Sequence, residues 1–223
     1  MKYYPINLDV QNKNCLVVGG GRVGTRKVLT LLQCSAIVTI VSPEISEKLK
    51  DLVLSGSVNL IKRGYLSGDL QDMFLVISAS DNNKINQMVY KDAKACNILC
   101  NIADIPDSCN FIVPSVIRRG DLTITVSTSG KSPALSRKLR IELEKIFGKE
   151  YSECLKLMGA VRAKLLKEKH APDNHKYLFR NVLDQGLIEM IKNSDIKAVN
   201  DLLCKIFGKD FTYESLIKKP NQS

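Results

Sequence analysis

"CLVVGGGRVGTRK", residues Cys15 to Lys27, begins as an apolar run and breaks into three consecutive glycines before a helix-like stretch. Gly19, Gly21 and Gly24 form G-x-G-x-x-G directly after a strand and at the start of a helix, the context that makes this weak motif specific. Gly19 permits a tight turn, Gly21 lets the main chain approach a pyrophosphate, and Gly24 lets the helix pack closely on the strand. The helix N-terminus, where Arg22 and Val23 stand, supplies amide donors and partial positive charge to phosphates. A glycine-rich turn with no ligand is the alternative.

Working outward, "NCLVVGG", "AIVTIVS", "VNLIKR", "FLVISAS" and "ILCNIA" read as short buried strands rich in Val, Ile and Leu, as a parallel sheet requires. Between them lie the helix-like "RVGTRKVLTLLQCS", "SEKLKDLVLSG" and "NNKINQMVYKDAKACN", with a shorter "SGDLQDM" before the fourth strand. Alternation of this kind predicts an α/β, Rossmann-like, doubly wound parallel sheet over 1–113. The pattern then changes. "NFIVPSVIRRGDLTITVSTSG" reads as two strands joined at Arg119-Gly120-Asp121, and "SPALSRKLRIELEKIFG" as a helix with Ser132 as N-cap and Pro133 at its first position. These form a small strand/helix region over 114–148, and 149–223 reads as an all-helical C-terminal domain with breaks near Ala171-Pro172 and Gly208. Two strands alone make a marginal sheet, so pairing with the same segment of a second chain is expected.

Composition narrows the classes of function. The 223 residues contain no leader-like opening and no apolar run long enough to span a bilayer, which predicts a soluble, cytoplasmic protein without a membrane partner. Seven cysteines, an odd number without a CxxC pair, fit free thiols in a reducing compartment. A formal charge of +10 calls for an anionic partner. Nucleic acid is disfavoured, because only 6% of residues are aromatic, Trp is absent and the basic residues are scattered.

Selection of NAD normally uses an acid at the end of the second strand, about twenty residues past the glycines, to bind the ribose 2′-hydroxyl. Ser42 stands there, followed by Pro43 and Glu44, so discrimination against NADP is softened; no arginine adjoins Ser42, and NAD is the expected cofactor. Ser80, Asp81 and Asn82 end the fourth strand and face the cofactor crevice, although Asp81 or Asn82 can instead cap the next helix. The cofactor candidates are therefore Gly19, Gly21, Arg22, Val23, Gly24, Ser42, Pro43, Ser80, Asp81 and Asn82.

"YYPINLDVQNKNCLVVGGGRVGTRKVLTLL", "ISASDNNKIN" and "CNIADIPDSCNFIVPSVIRRGDLTITVSTSGKSPALSRKLRIELE", with the helical tail, resemble the precorrin-2 dehydrogenase family of siroheme biosynthesis, similar also to the N-terminal half of multifunctional siroheme synthases. The resemblance covers nearly the whole chain and is nearer the free-standing form. It implies NAD-dependent oxidation of precorrin-2 to sirohydrochlorin, a homodimer with its active site near the interface and, in some relatives, insertion of Fe2+ as a substrate. Asp104 in "NIADIP" matches the family's catalytic aspartate, and its place after the fifth strand suits a general base that takes a ring proton. An Asp capping the turn before Pro106 is the plainer alternative. Ser132 matches a serine lining the tetrapyrrole site, and a helix end flanked by Lys131 and Arg137 attracts the macrocycle's carboxylates; Asn101 and Ser129 complete the substrate candidates. Arg118, Arg119 and Arg140 could add to that field, though each singly reads as solvated surface charge.

Cys96, Cys100 and Cys109 lie near Asp104, but their spacing matches no common metal site, and no metal centre is predicted. His170 and His175 lie in the tail and read as surface residues. Two other functions remain open: a nucleotide-binding regulator without turnover, which needs no Asp104, and a chelatase that uses the fold as scaffold.

Overall fold

The computed structural model describes residues 2–103, 109–167 and 172–217, and the chain divides into two compact units, Met1–Val113 and Pro114–Ser223. The first unit runs β1 (Asn14–Gly20), α1 (Arg22–Gln33), β2 (Ile37–Ile45), α2 (Glu47–Leu54), β3 (Asn59–Ile61), a 3-10 turn (Ser67–Leu70), β4 (Leu75–Ser78), α3 (Asn83–Ala95) and β5 (Leu99–Ile102). All five strands are parallel, in the order β3-β2-β1-β4-β5.

Two-sided burial of β1 organises this unit. Cys15 and Val17 join one core with Val28 and Leu31 of α1, Val38 and Ile40 of β2 and Leu49 of α2. Leu16 and Val18 face the opposite core with Val89 and Ala93 of α3 and with Tyr65 and Leu70 from the β3–β4 connection. Period-two alternation along an apolar strand thus puts helices on both faces, as in a doubly wound sheet. The chain fills one side of β1 through β3, then returns to place β4 on the other side. That reversal creates a crevice at the carboxyl ends of β1 and β4.

The "SGDLQDM" stretch forms a single 3-10 turn rather than an α-helix. Asp69, buried, pulls it tight: its carboxylate accepts from both terminal nitrogens of Arg63 (2.6 and 2.8 Å) and from the Leu66 amide (2.8 Å). The Arg63 hydrogen bonds hold the Asp69 carboxyl below its ordinary range, so the pair stays charged.

The second unit holds an antiparallel hairpin, β6 (Ser115–Arg119) and β7 (Leu122–Val126), then α4 (Pro133–Ile146), α5 (Glu150–Lys167), α6 (Pro172–Asp184), α7 (Leu187–Lys192), α8 (Ile196–Phe207) and α9 (Tyr213–Leu216). Gly120 carries the turn at φ 60, and a Cβ there would strike the Ser152 hydroxyl. The first hairpin strand begins after Pro114, not at Asn110, because Asn110 has another task described below. Ser132 caps α4, accepting from the Leu135 amide at 3.2 Å, with Pro133 in the first turn. Cys154, Leu157, Val161 and Leu165 form the inner stripe of α5 and pack with Val182, Leu187, Ile191, Val199, Leu202, Leu203 and Phe211. Among the described residues no helix is long and apolar enough to cross a membrane.

Candidate functional site

The glycine turn is fixed by backbone contact. Gly19 has φ +105, and an ideal Cβ on it would lie 2.6 Å from the Ala79 carbonyl oxygen at the end of β4. On Gly20 a Cβ would collide with the Glu44 carbonyl and sit 2.6 Å from a methyl of Ile45; on Gly24 it would collide with the Gly19 carbonyl. Gly21 differs from all three. Its φ is −75, which any residue adopts, and a Cβ there meets nothing within 4 Å. Gly19, Gly20 and Gly24 therefore serve the fold, whereas Gly21 keeps space clear above the first turn of α1. Sequence reasoning missed Gly20, whose partner lies on β2.

Gly21 is the N-cap of α1 and makes no side-chain cap; the first turn carries no acid. The opening amides of an α-helix have no intrahelical acceptor, so exposed Arg22, half-buried Val23 and buried Gly24 bring donors and unneutralised dipole to the cleared space. An uncapped, acid-free N-terminus with main-chain access fits a dinucleotide's pyrophosphate.

β2 runs on to Ile45, past its expected end at Ser42. Val18 pairs with Val41 but Gly20 pairs with Ile45, so Ser42, Pro43 and Glu44 form an irregularity opposite the turn. Ser42 is buried; its hydroxyl accepts from the Gly20 amide (3.0 Å) and donates to the Glu44 carbonyl (2.5 Å). The Ser46 amide donates to the Gly20 carbonyl (3.0 Å), and the Thr25 and Ser46 hydroxyls bond at 2.8 Å. Ser42 thus braces the turn, while Pro43 and Glu44 are exposed.

At the end of β4, the fully buried Ser78 hydroxyl donates to Asn86 Oδ1 (2.7 Å), and Asn86 Nδ2 donates to the Ser80 carbonyl (3.0 Å). Asn82 is the N-cap of α3, accepting from Lys84 (2.9 Å), and its own amide reaches Ser80 Oγ (3.2 Å); Asp81 is exposed and makes no cap. The Ser78–Asn86 clamp was legible only as a serine closing an apolar strand and an asparagine in the next helix.

Asp104 lies outside the described residues, as does His170. Ala103, just before Asp104, donates its amide to the Ser78 carbonyl (2.8 Å) and so continues the ladder beside β4. The outer edge of β5 is closed by Asn110, whose side chain accepts from the Cys100 amide (2.8 Å) and donates to the Ile98 carbonyl (3.0 Å). Asn101 is buried and donates to the Phe111 carbonyl (3.1 Å), which makes it an anchor for this return segment. The Cys109 thiol accepts from the Ile102 amide (3.1 Å) and donates to its carbonyl (3.4 Å). Burial pushes the Cys109 thiol up and the Cys100 thiol to about 12, so both stay protonated. Among the described residues no three His, Cys, Asp or Glu side chains gather as a metal would need.

In the second unit, Lys131 donates its amide to the Thr128 carbonyl (3.0 Å) across Ser129 (φ 53) and Gly130 (φ 83), a left-handed turn. The Thr128 hydroxyl accepts from the Ser132 amide at 3.1 Å and fixes this turn to the start of α4. Ser129, Lys131 and Arg137 are exposed around half-buried Ser132.

Residues 6–115 match the family described as "Putative NAD(P)-binding", and residues 119–146 match "Sirohaem biosynthesis protein central". An NAD(P)-binding match is thus followed directly in the chain by a sirohaem-biosynthesis match. The glycine turn lies within the residues that match the NAD(P)-binding description. The siroheme synthase of Pseudoalteromonas translucida is 34% identical over 204 residues, 91% of this chain and 43% of the relative. That of Pseudoalteromonas atlantica is 36% identical over 191 residues, 86% of this chain and 41% of the relative. The chain spans less than half the length of these relatives. A solved structure titled "SirC, precorrin-2 dehydrogenase" has the same fold, with TM-score 0.75 and 22% identity over 89% of this chain and 100% of the other.

Because Gly21 is sterically idle in the fold, Gly21→Val should leave the melting temperature near that of the parent yet weaken NAD binding by about tenfold or more. Gly24→Ala should lower the melting temperature, since its Cβ collides with the Gly19 carbonyl. Thermal melts and calorimetric titration with NAD+ separate the two effects.

Proposed function

We propose that the chain is an NAD-dependent dehydrogenase that oxidises precorrin-2 to sirohydrochlorin, with Asp104 as general base. The observation that carries this reading is the cleared space over Gly21 at the sheet's switch point, in a chain whose next segment matches a sirohaem-biosynthesis family.

Gly21, Arg22 and Val23 hold the pyrophosphate through the first turn of α1, and the ends of β2 and β4 flank it. Ser42 acts through the turn it braces. The exposed Glu44 carboxylate next to that turn disfavours a 2′-phosphate, which supports NAD over NADP. When bound, NAD+ supplies the two-electron acceptor. Asp104, following the β5 end that Ser78, Cys109 and Asn110 fix in place, accepts the proton lost from the macrocycle. Lys131 and Arg137, beside the Ser132 end of α4, attract the substrate's carboxylates. The seven cysteines are free thiols, which supports a reducing cytoplasm as the site of action.

The chain acts as a homodimer in this reading. Its hairpin has two open edges, and α4 exposes Leu135, Leu139 and Ile146 in one stripe. Light scattering at micromolar concentration should give a dimer mass, and Leu135→Asp with Leu139→Asp should yield monomer; a monomeric parent would contradict the assembly.

Asp104→Ala should lower the rate of NADH formation from precorrin-2 by about 10²–10⁴-fold, while NAD+ affinity stays within about twofold. Anaerobic absorbance assays with calorimetry check both, and near-parental turnover would remove Asp104 from the role of base. Parental enzyme that binds NAD+ but forms no NADH from precorrin-2 would favour the regulator instead.

A further inference from the structure

Away from the glycine turn, the second unit contains a cavity of about 760 Å³ at the tip of the hairpin, and every residue lining it belongs to that unit. This size suits a small organic ligand. We infer that the cavity is a binding site for a small polyanion carrying at least two carboxylate or phosphate groups. The inference is independent of the nucleotide reading.

Four cations line the space: Arg118 and Arg119 from the end of β6, Lys149 just before α5, and Lys156 on its second turn. Arg119 is built into the wall. Its Nε donates to the Phe147 carbonyl (2.7 Å) and one terminal nitrogen to the Glu144 carbonyl (3.2 Å), so it closes the C-terminal end of α4 and holds its charge in place. Those acceptors are neutral. Among the described residues, Arg119, Lys149 and Lys156 make no ion pair with a carboxylate.

One acid lines the cavity, Glu153, and it accepts the Tyr213 hydroxyl, a bond that ties α9 to α5. That bond, with burial, pushes the Tyr213 hydroxyl up to about 12, so it remains the donor across the physiological range. On the far wall Gly120, at φ 60, packs directly against Ser152, whose hydroxyl a Cβ there would strike. Arg119, Lys149 and Lys156, set against one committed carboxylate, repel one another around an open space, and a multivalent anion relieves that repulsion.

The cavity lies at the opposite end of the hairpin from the Ser127–Lys131 loop. Five β7 residues at roughly 3.3 Å each separate them by about 17 Å. It is therefore a second anion-attracting locus, not part of the loop that flanks Ser132.

The test is calorimetric titration of the full chain with citrate and, separately, with pyrophosphate, both under saturating NAD+ so that the glycine turn is occupied. Binding of citrate alone, pyrophosphate alone or both supports the site and tells carboxylate from phosphate as its natural group. Lys149→Ala with Lys156→Ala, both exposed positions, should then weaken that binding by about tenfold or more, and Lys156→Gln alone should do so in part. Lys138→Ala with Lys145→Ala, on the exposed side of α4, should change it by less than about twofold. The inference is overturned if neither anion binds at millimolar concentration or acetate binds as tightly. Equal weakening by the two double variants, or loss with Lys131→Ala in place of the cavity lysines, would overturn it as well.

Discussion

Main-chain atoms at the glycine turn lie so close to their neighbours that no side chain fits at three of its positions. Gly19 rests on the Ala79 carbonyl, Gly20 on Glu44 and Ile45, and Gly24 on Gly19 itself. These contacts draw the ends of β4 and β2 and the start of α1 together. The fourth glycine, Gly21, is left with open space. The sheet order, the helices on both faces and the crevice at the β1/β4 reversal all place that space where an open α/β sheet receives ligands.

Much of this was legible in the sequence. G-x-G-x-x-G between an apolar strand and a helix identifies the turn, and uniformly buried strands imply a parallel sheet covered on both faces. What was not legible depends on contacts between distant residues. Ser42 reads as a ribose contact by position, yet its hydroxyl turns inward to the Gly20 amide because β2 overruns the turn and loses ladder register there. Asn110 reads as the start of a strand but acts as a side-chain substitute for one along β5. The Arg63–Asp69 pair, six residues apart, draws an expected helix into one 3-10 turn. In each case a polar side chain takes the place of a regular backbone hydrogen bond, which periodicity cannot reveal.

The distribution of polar groups within each unit separates support from chemistry. In the first unit Ser42, Ser46, Thr25, Ser78 and Asn86 bond to one another and to the backbone, which holds the turn and strand ends rigid. In the second unit Thr128 fixes the loop before α4, and Lys131 and Arg137 remain exposed beside it. The excess of positive charge is therefore partly organised. One group flanks the start of α4, and a second surrounds the cavity at the hairpin tip.

The central claim is that the cleared space over Gly21 receives the cofactor. Hydrogen exchange of the full chain with and without saturating NAD+, resolved to single amides, tests it most directly. The account predicts slowed exchange at Gly21, Arg22 and Val23, with no comparable change at the first turns of α2 or α5. Unchanged exchange across residues 19–25, with protection elsewhere, would contradict it.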